Sequence, residues 1–413
     1  MSTSDPKAAG GNSILAVNAG SSSIKFGLFS STNPVEQIFE GGITGIGTDA
    51  AAFRVCETTD DGDFCREFGI PDRVAAVNVL ADWLAERIPP GSLAAIAHRI
   101  VDGAPSARRA AVIDRPLLTT LYEEAPDAPE HLPLELHLIE TLRRTFAGTA
   151  HIACFDSWFH QSMPRIAHLL PLPRKYEAMG LKRYGFHGLS CAFLMAELER
   201  VAGAQAAAGR IVIAHLGGGA SVTAVHTGRS CDTTMGLTPG GGIMMGSRSG
   251  DLDPGVGRFL ARHAQLTPSR FNYVANHESG MLGISEISGD VQVLLAHEAR
   301  DPRAAEALAL FCYQARKAVA SMAAVLEGID TLVFSGGIGE HCAEIRARIC
   351  SPLAFLGVGV DPVRNAANAG LISPDGPSVA VRVLHTDEQR MLAEEARLVL
   401  SQTGVARQGA APP

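Results

Sequence analysis

The chain has no surplus of positive charge. Its 35 Lys and Arg stand against 43 Asp and Glu, a formal net charge of -8. Non-specific nucleic-acid binding needs a basic surface that neutralises phosphates, so that class is disfavoured. A local anion site stays open, because converging N–H groups and a few Arg residues suffice. There is also no C-x-x-C pair. The 8 cysteines, at 56, 65, 154, 191, 231, 312, 342 and 350, lie among apolar and small residues. That scatter argues against a disulfide framework and for a reducing cytoplasm. No run is long enough to span a bilayer; residues 318–326 reach about half the length required. Residues 1–12 lack the apolar core of a signal peptide, and residues 408–413 read as a frayed tail.

What is present is globular: 46% hydrophobic and 19% charged residues in a chain of 413. That length exceeds one ordinary core, so two domains are expected. Apolar runs predict strands over residues 94–101, 151–155, 211–216, 222–226, 331–334 and 379–384, with further strands within 53–64. Helical spacing predicts helices over 74–87, 132–146, 189–201, 304–326, 342–349 and 390–400. Residues 14–29 read as strand, Gly/Ser turn, strand. Residues 237–254 are Gly-rich and aperiodic, the pattern of a functional loop. A domain boundary is expected near Asp156.

Three times an apolar strand runs directly into a Gly-rich turn: ILAV-NAGSSS, IVIAHL-GGGAS and TLVF-SGGIGE. Glycine has no Cβ and tolerates positive φ, so such turns let backbone N–H groups approach phosphate oxygens. Three of them point to one long anionic ligand gripped at several places. NAGSSSIK, residues 18–25, adds hydroxyls and a lysine, yet it is not the Walker A pattern. Arg248, in MMGSRSGDLDP, is a permanent charge that reaches two oxygens at once, suited to a transferring phosphoryl group. Asp156 follows a strand in FDSWFH, where a carboxylate can serve as base, metal-water ligand or orienter. A helix cap is its ordinary role. His187 precedes a helix in RYGFHG and is a candidate donor to a developing anion. Arg99 closes an apolar strand, which suggests a paired anion.

In these motifs the chain resembles the acetate kinase family of the actin, hexokinase and sugar-kinase superfamily. VNAGSSSIKF, RYGFHG, GLTPGGGIMMGSRSGDLDP, FSGGIGE and TDEQ occur in the family's order, and the resemblance spans residues 14–400. It implies an α/β fold of two actin-like domains with mixed, ribonuclease H-like sheets around a nucleotide cleft. Residues 1–157 completed by 386–413 would form the acid and phosphate domain, and residues 158–385 the nucleotide-binding domain. The implied activity is transfer of the ATP γ-phosphoryl group to the carboxylate of a short-chain acid, acetate first. Arg99, Asp156, His187 and Arg248 would be catalytic. Ser21, Ser23, Lys25, Gly217, Gly218 and Gly219 would lie at the phosphates. Asp290, Gly336, Gly337, Ile338 and Gly339 would cup the nucleoside. Asn18 and Glu388 would position Mg2+ through its waters. Val101, Glu130, Phe186 and Pro239 would line the acid pocket. A cytoplasmic homodimer without membrane or nucleic-acid partner is also implied.

The chain departs from the family pattern at Asp102, Gly218 and Cys191, and at Gln292 and Glu130. Glu130 is the most consequential, because a carboxylate beside an apolar pocket needs a partner, for which Arg99 and His131 are candidates. Four other readings stay open. They are a propionate, butyrate or hydroxy-acid kinase, a relative using another phosphoryl donor, a sugar kinase, and a nucleotide sensor without turnover.

Overall fold

The computed structural model describes residues 11–20, 23–47, 51–57, 64–67, 69–101, 109–125, 130–376 and 378–403. The chain divides into two compact units. The first runs to Trp158 and resumes at Asp387; the second is Phe159–Thr386.

The first unit is built on eight strands, β1 (Ser13–Ala19), β2 (Ser23–Ser30), β3 (Gln37–Thr44), β4 (Ala52–Glu57), β5 (Phe64–Glu67), β6 (Leu93–Ile100), β7 (Ala110–Val112) and β8 (Ala150–Phe155). They form one sheet in the order β5-β4-β3-β2-β1-β6-β8-β7. β1 to β5 meander antiparallel, whereas β1, β6 and β8 run parallel. Parallel strands need crossovers, and helices on the sheet bury both faces. This is why β1, β6 and β8 read as continuous apolar runs and not as alternation. The helix Arg73–Arg87 starts where the Asp72 side chain accepts from Ala75 N–H. It buries Val77, Leu80, Ala81 and Leu84, and its Trp83 ring meets Phe53, Phe26 and Phe39 at centroid distances of 5.4, 5.6 and 5.7 Å. The helix Glu388–Thr403 packs on β1, β2 and β6 through Met391, Leu392, Ala393, Ala396 and Leu400.

The second unit has five strands, β9 (Arg210–Leu216), β10 (Ala220–His226), β11 (Arg229–Thr233), β12 (Thr331–Ser335) and β13 (Ala380–Val383). Their order is β11-β10-β9-β12-β13. β9 to β11 are antiparallel; β9, β12 and β13 are parallel. This repeats the scheme β3-β2-β1-β6-β8 of the first sheet, strand for strand. The long helix Pro302–Val325 opens with Asp301 accepting from Arg303 N–H and buries Ala304, Ala307, Leu308, Phe311, Ala315 and Val319 at helical spacing.

Both sheets are mixed and helix-covered, as the α/β expectation required. The sequence reading did not include β3, β7 or β11, and further features differ from it. SGGIGE was expected as a turn throughout, but only Gly336 has positive φ, at 76°, and Gly336–His341 is helical. The Glu340 carboxylate accepts Gly336 N–H at 2.9 Å and closes that turn. Residues 255–297 hold four short helices that the sequence reading did not include, Gly255–His263, Pro268–His277, Gly280–Ser285 and Val291–His297. The helix Arg115–Glu124 was also missed, although Asp114 as cap with Pro at the first turn marks its start. No disulfide links the 8 cysteines. Among the described residues no helix is long and apolar enough to cross a membrane.

Two histidines are buried between β6 and β8. His98 Nε2 lies 2.9 Å from His151 Nδ1, with the rings stacked at 5.1 Å. Burial holds His98 well below its ordinary pKa, helped by His151 and Arg143; burial and Arg143 lower His151 to about 4. The unfolded chain therefore binds protons that the folded unit refuses. Stability is full above pH 6.5 and falls as the pH drops from 6.5 to about 4, with about 3 kcal/mol lost to His151. Both tryptophans, Trp83 and Trp158, belong to the first unit, so intrinsic fluorescence follows that unit. Urea midpoints read this way should fall across that window, and His151→Leu should flatten the slope.

Candidate functional site

The first unit gathers Asn18, Arg99, Asp156 and Glu388 at the ends of its central strands. Asn18 lies near the end of β1 and is 6% exposed; Asp156 follows β8 and is fully buried. The Arg99 guanidinium donates to Asp156 Oδ2 at 2.7 Å and to Asn18 Oδ1 at 3.2 Å. Asn18 Nδ2 donates to Glu388 Oε2 at 2.7 Å, at the start of the helix Glu388–Thr403. Burial opposes the Arg99 charge, but the Asp156 and Glu388 carboxylates outweigh it and hold the guanidinium above its ordinary pKa. Asp156 N–H donates to the Ile100 carbonyl, which ties the ends of β6 and β8 together.

Around this cluster, Val101 N–H donates to both oxygens of the buried Glu135, at 3.2 and 3.3 Å. Glu130 sits just before the helix Leu132–Thr145, half-buried, with Arg73 donating to its carbonyl at 3.3 Å. Arg99, one expected partner for Glu130, is engaged by Asp156 and Asn18. Ser23 opens β2, and Lys25, directly across from Asn18 on β2, is exposed. Ser21 and Asp102 lie outside the described residues.

The second unit gathers His187, Arg248 and two glycine segments. Residues Gly217, Gly218 and Gly219 join β9 to β10, and Gly217 N–H closes the turn on the Gly219 carbonyl at 2.9 Å. A Cβ on Gly219 would lie 3.3 Å from His187 Nε2 and 3.6 Å from Arg248 Nη1. A Cβ on Gly217 would lie 3.7 Å from Gly337 N, and one on Gly336 only 2.6 Å from the Leu216 carbonyl oxygen. The turn is therefore the meeting point of His187, Arg248 and the loop of Gly336, Gly337, Ile338 and Gly339.

His187 is held in the left-handed region at φ 61°, uncommon outside glycine, as the residue before the helix Gly188–Ala202. Its Nδ1 lies 2.9 Å from Ser221 Oγ, and its ring meets His215 at 4.4 Å. Its Nε2 faces the Gly219 turn. The preceding Phe186 is buried, and its carbonyl accepts from His160 Nε2 at 2.8 Å. Arg248 donates to the Pro239 carbonyl at 3.2 Å. Its loop is pinned by Met244 N–H donating to Gln314 Oε1 at 2.7 Å, on the long helix Pro302–Val325. Asp290 caps the helix Val291–His297, accepting from Gln292 and Val293 N–H.

Of the four expected pocket residues, Val101 and Glu130 belong to the first unit and Phe186 and Pro239 to the second. The sequence reading did not single out Ser221, His215, Glu135 or Gln314. Ser221 and His215 stood inside HLGGGAS, two residues either side of the glycines. Nothing local marked Glu135 or Gln314, whose partners lie 34 and 70 residues away.

Comparison with known proteins gives concordant matches. The profile of the Acetokinase family matches residues 13–394. The chain is 41% identical over 388 residues to an acetate kinase of Rhodopseudomonas palustris (strain TIE-1), covering 92% of this chain and 96% of that protein. It is 38% identical over 399 residues to a propionate kinase of Citrobacter rodentium, covering 95% and 98%. The crystal structure of a propionate kinase from Francisella tularensis superposes with a TM-score of 0.85 at 29% identity, over 93% of this chain and 98% of that one.

Removing Asp156 would strand the Arg99 charge at the end of a buried strand. Breaking a buried pair from one side costs about 3–5 kcal/mol. Asp156→Ala should lower the stability of the first unit by that order, read from tryptophan fluorescence in urea, and Asp156→Asn by less.

Proposed function

The chain belongs to the acetokinase family, and from that premise we propose that it transfers the γ-phosphoryl group of ATP to the carboxylate of a short-chain acid, acetate first. The observation that carries this reading is the convergence of His187 Nε2 and Arg248 Nη1 on the Gly219 turn. It sets an imidazole and a guanidinium beside a glycine turn, the arrangement a phosphoryl group in transfer requires.

A carboxylate oxygen of the acid attacks the γ-phosphorus as the bond to the β-phosphate oxygen breaks, giving acyl phosphate and ADP. The acid is already ionised at neutral pH, so no strong base is needed. Asp156 is then left to hold Arg99 in place, and Arg99 to pair with the acid carboxylate. Charge builds on the equatorial oxygens of the phosphoryl group, where Arg248 and His187 are aimed. Ser221 orients the His187 ring through Nδ1. Ser23 and Lys25 serve the phosphates, and the loop from Gly336 to Gly339, with Asp290, serves the nucleoside.

Mg2+ fits the donor set. It binds through one or two carboxylates and retains most of its waters. Glu388 and Asp156, with Asn18 between Glu388 and Arg99, offer such oxygens. Among the described residues no cluster of three His, Cys, Asp or Glu forms a dedicated cage. When bound, Mg2+ neutralises charge on the β- and γ-phosphates. We take the working form to be a cytoplasmic homodimer, in keeping with cysteines that form no disulfide.

The test is acyl-phosphate formation from Mg-ATP, trapped with hydroxylamine, across acetate, propionate, butyrate, glycolate and lactate. Acetate should lead, and Arg248→Ala should lower turnover roughly a thousandfold. A shift of preference in Glu130→Leu would place that carboxylate at the acid. ATP binding without turnover on any acid would overturn the reading in favour of a sensor.

A further inference from the structure

The loop that ends β12 is held from two sides by charge. On its N–H side stands Glu340, 6% exposed. Its Oε1 accepts Gly336 N–H at 2.9 Å, the Ser335 hydroxyl at 3.2 Å and Thr386 N–H at 3.3 Å. Its Oε2 accepts from His385 Nδ1 at 2.7 Å. On the carbonyl side stands Arg346, fully buried. It donates to the Gly339 and Glu340 carbonyls at 2.8 and 2.9 Å and spends the rest of its fork on Asn365 and Asn368. Carboxylate at the start and guanidinium at the end complement the dipole of this short helix.

Burial works to raise the Glu340 pKa, but His385 and the two backbone N–H groups prevail, so the group is held below the ordinary carboxylate value and stays ionised. A glycine turn could be capped more cheaply by the Ser335 hydroxyl alone. Burying a carboxylate carries a desolvation cost that stability by itself does not justify. What the carboxylate adds is reach. Two of its four contacts lie outside its own loop, on His385 and Thr386, beyond the end of β13. Thr386 is the last residue of the second unit, and Asp387 and Glu388 begin the return of the chain to the first.

We propose that Glu340 is a positioning residue that couples the nucleotide loop to the segment carrying Glu388, through His385 and Thr386. The inference rests on the reading above, in which Gly336 to Gly339 receive the nucleoside and Glu388 the metal. A loop settled by nucleotide fixes the Glu340 carboxylate, which fixes the peptide of Thr386 two residues ahead of Glu388. By reciprocity, metal at Glu388 tightens the hold on nucleotide. The His385 side chain is 78% exposed, so it can be changed without disturbing a core.

The test uses the full chain and three variants, Glu340→Gln, His385→Leu and His385→Asn. ADP binding is measured by calorimetry without metal, and turnover is followed as a function of Mg2+ and of acid. Losing a hydrogen bond to a charged group corresponds to about a tenfold change in affinity. Glu340→Gln should weaken ADP binding about tenfold and raise the half-saturating Mg2+ several-fold, with KM for the acid changed less than twofold. His385→Leu should move the same two quantities in the same direction by a smaller factor, and His385→Asn, which keeps a donor, should restore them. A fall in melting temperature with both curves unmoved would mean a structural role only and overturn the proposal. Should Glu340→Gln fail to fold, an unchanged His385→Leu overturns it alone. Wild-type protein that binds ADP but makes no acyl phosphate would sink the kinase reading, while the ADP measurements would still decide this one. Wild-type protein that binds no ADP would overturn both.

Discussion

Gly336 lies against the carbonyl of Leu216, where a Cβ would come within 2.6 Å of the oxygen, and the second unit depends on that approach. β9 and β12 are parallel neighbours in register from Thr331 opposite Ile211 to Ser335 opposite His215. They therefore end at one level, and the turns that follow are side by side. No side chains stand on Gly217, Gly218, Gly219, Gly336 or Gly337, and two of their N–H groups are spent within the loops, Gly217 on the Gly219 carbonyl and Gly336 on the Glu340 carboxylate. An alanine at Gly336 would face both the clash and a backbone angle of 76° that L residues rarely adopt. His187 and Arg248 then bring ring and guanidinium nitrogens from the side, His187 held by Ser221, Arg248 by the Pro239 carbonyl and its loop by Gln314.

The two sheets share one strand scheme but are finished differently. Where the first central hairpin passes Gly20, the second turns through three glycines. β6 carries Arg99 near its end and runs on to Val101; its counterpart β12 runs on to Gly336. β8 delivers Asp156; its counterpart β13 delivers His385 and Thr386. At equivalent points one unit places charge and the other leaves room. Parallel strands supply this economically, because all of them finish at the same edge, with loops free to carry what the ligand needs.

The sequence disclosed the parts of this arrangement that are local. An apolar run stopping at glycine, or at a lone Arg or Asp, can be read without knowing the neighbours, so β1, β2, β6, β8, β9, β10, β12 and β13 were legible, with the glycines and the Arg99 and Asp156 positions at their ends, whereas β3, β7 and β11 were not. The helical character of Gly336–His341 was not, because three glycines outweigh any propensity signal, and the bond that closes the turn comes from Glu340 folding back. The helices between 255 and 297 are short, and neither Gly255–His263, although Val256, Phe259 and Leu260 fall at helical spacing, nor Pro268–His277 buries a residue. Supporting residues were the least legible. Glu135, Gln314, Glu340 and Arg346 act on backbone that is distant in sequence or reached by folding back, and no local pattern distinguishes them from surface charges.

The first unit is discontinuous, and this bears on how the chain is made. Its sheet can form as soon as β8 leaves the ribosome, but the helix that covers β1, β2 and β6 is translated only after the whole second unit. Until then one apolar face of the first sheet is uncovered, and the strand ends hold Asn18 without Glu388. A nascent chain interrupted anywhere in the second unit therefore exposes a hydrophobic surface recognisable to chaperones and proteases and lacks a carboxylate of the cluster. Emergence of the helix Glu388–Thr403, closure of that surface and assembly of the cluster are one event.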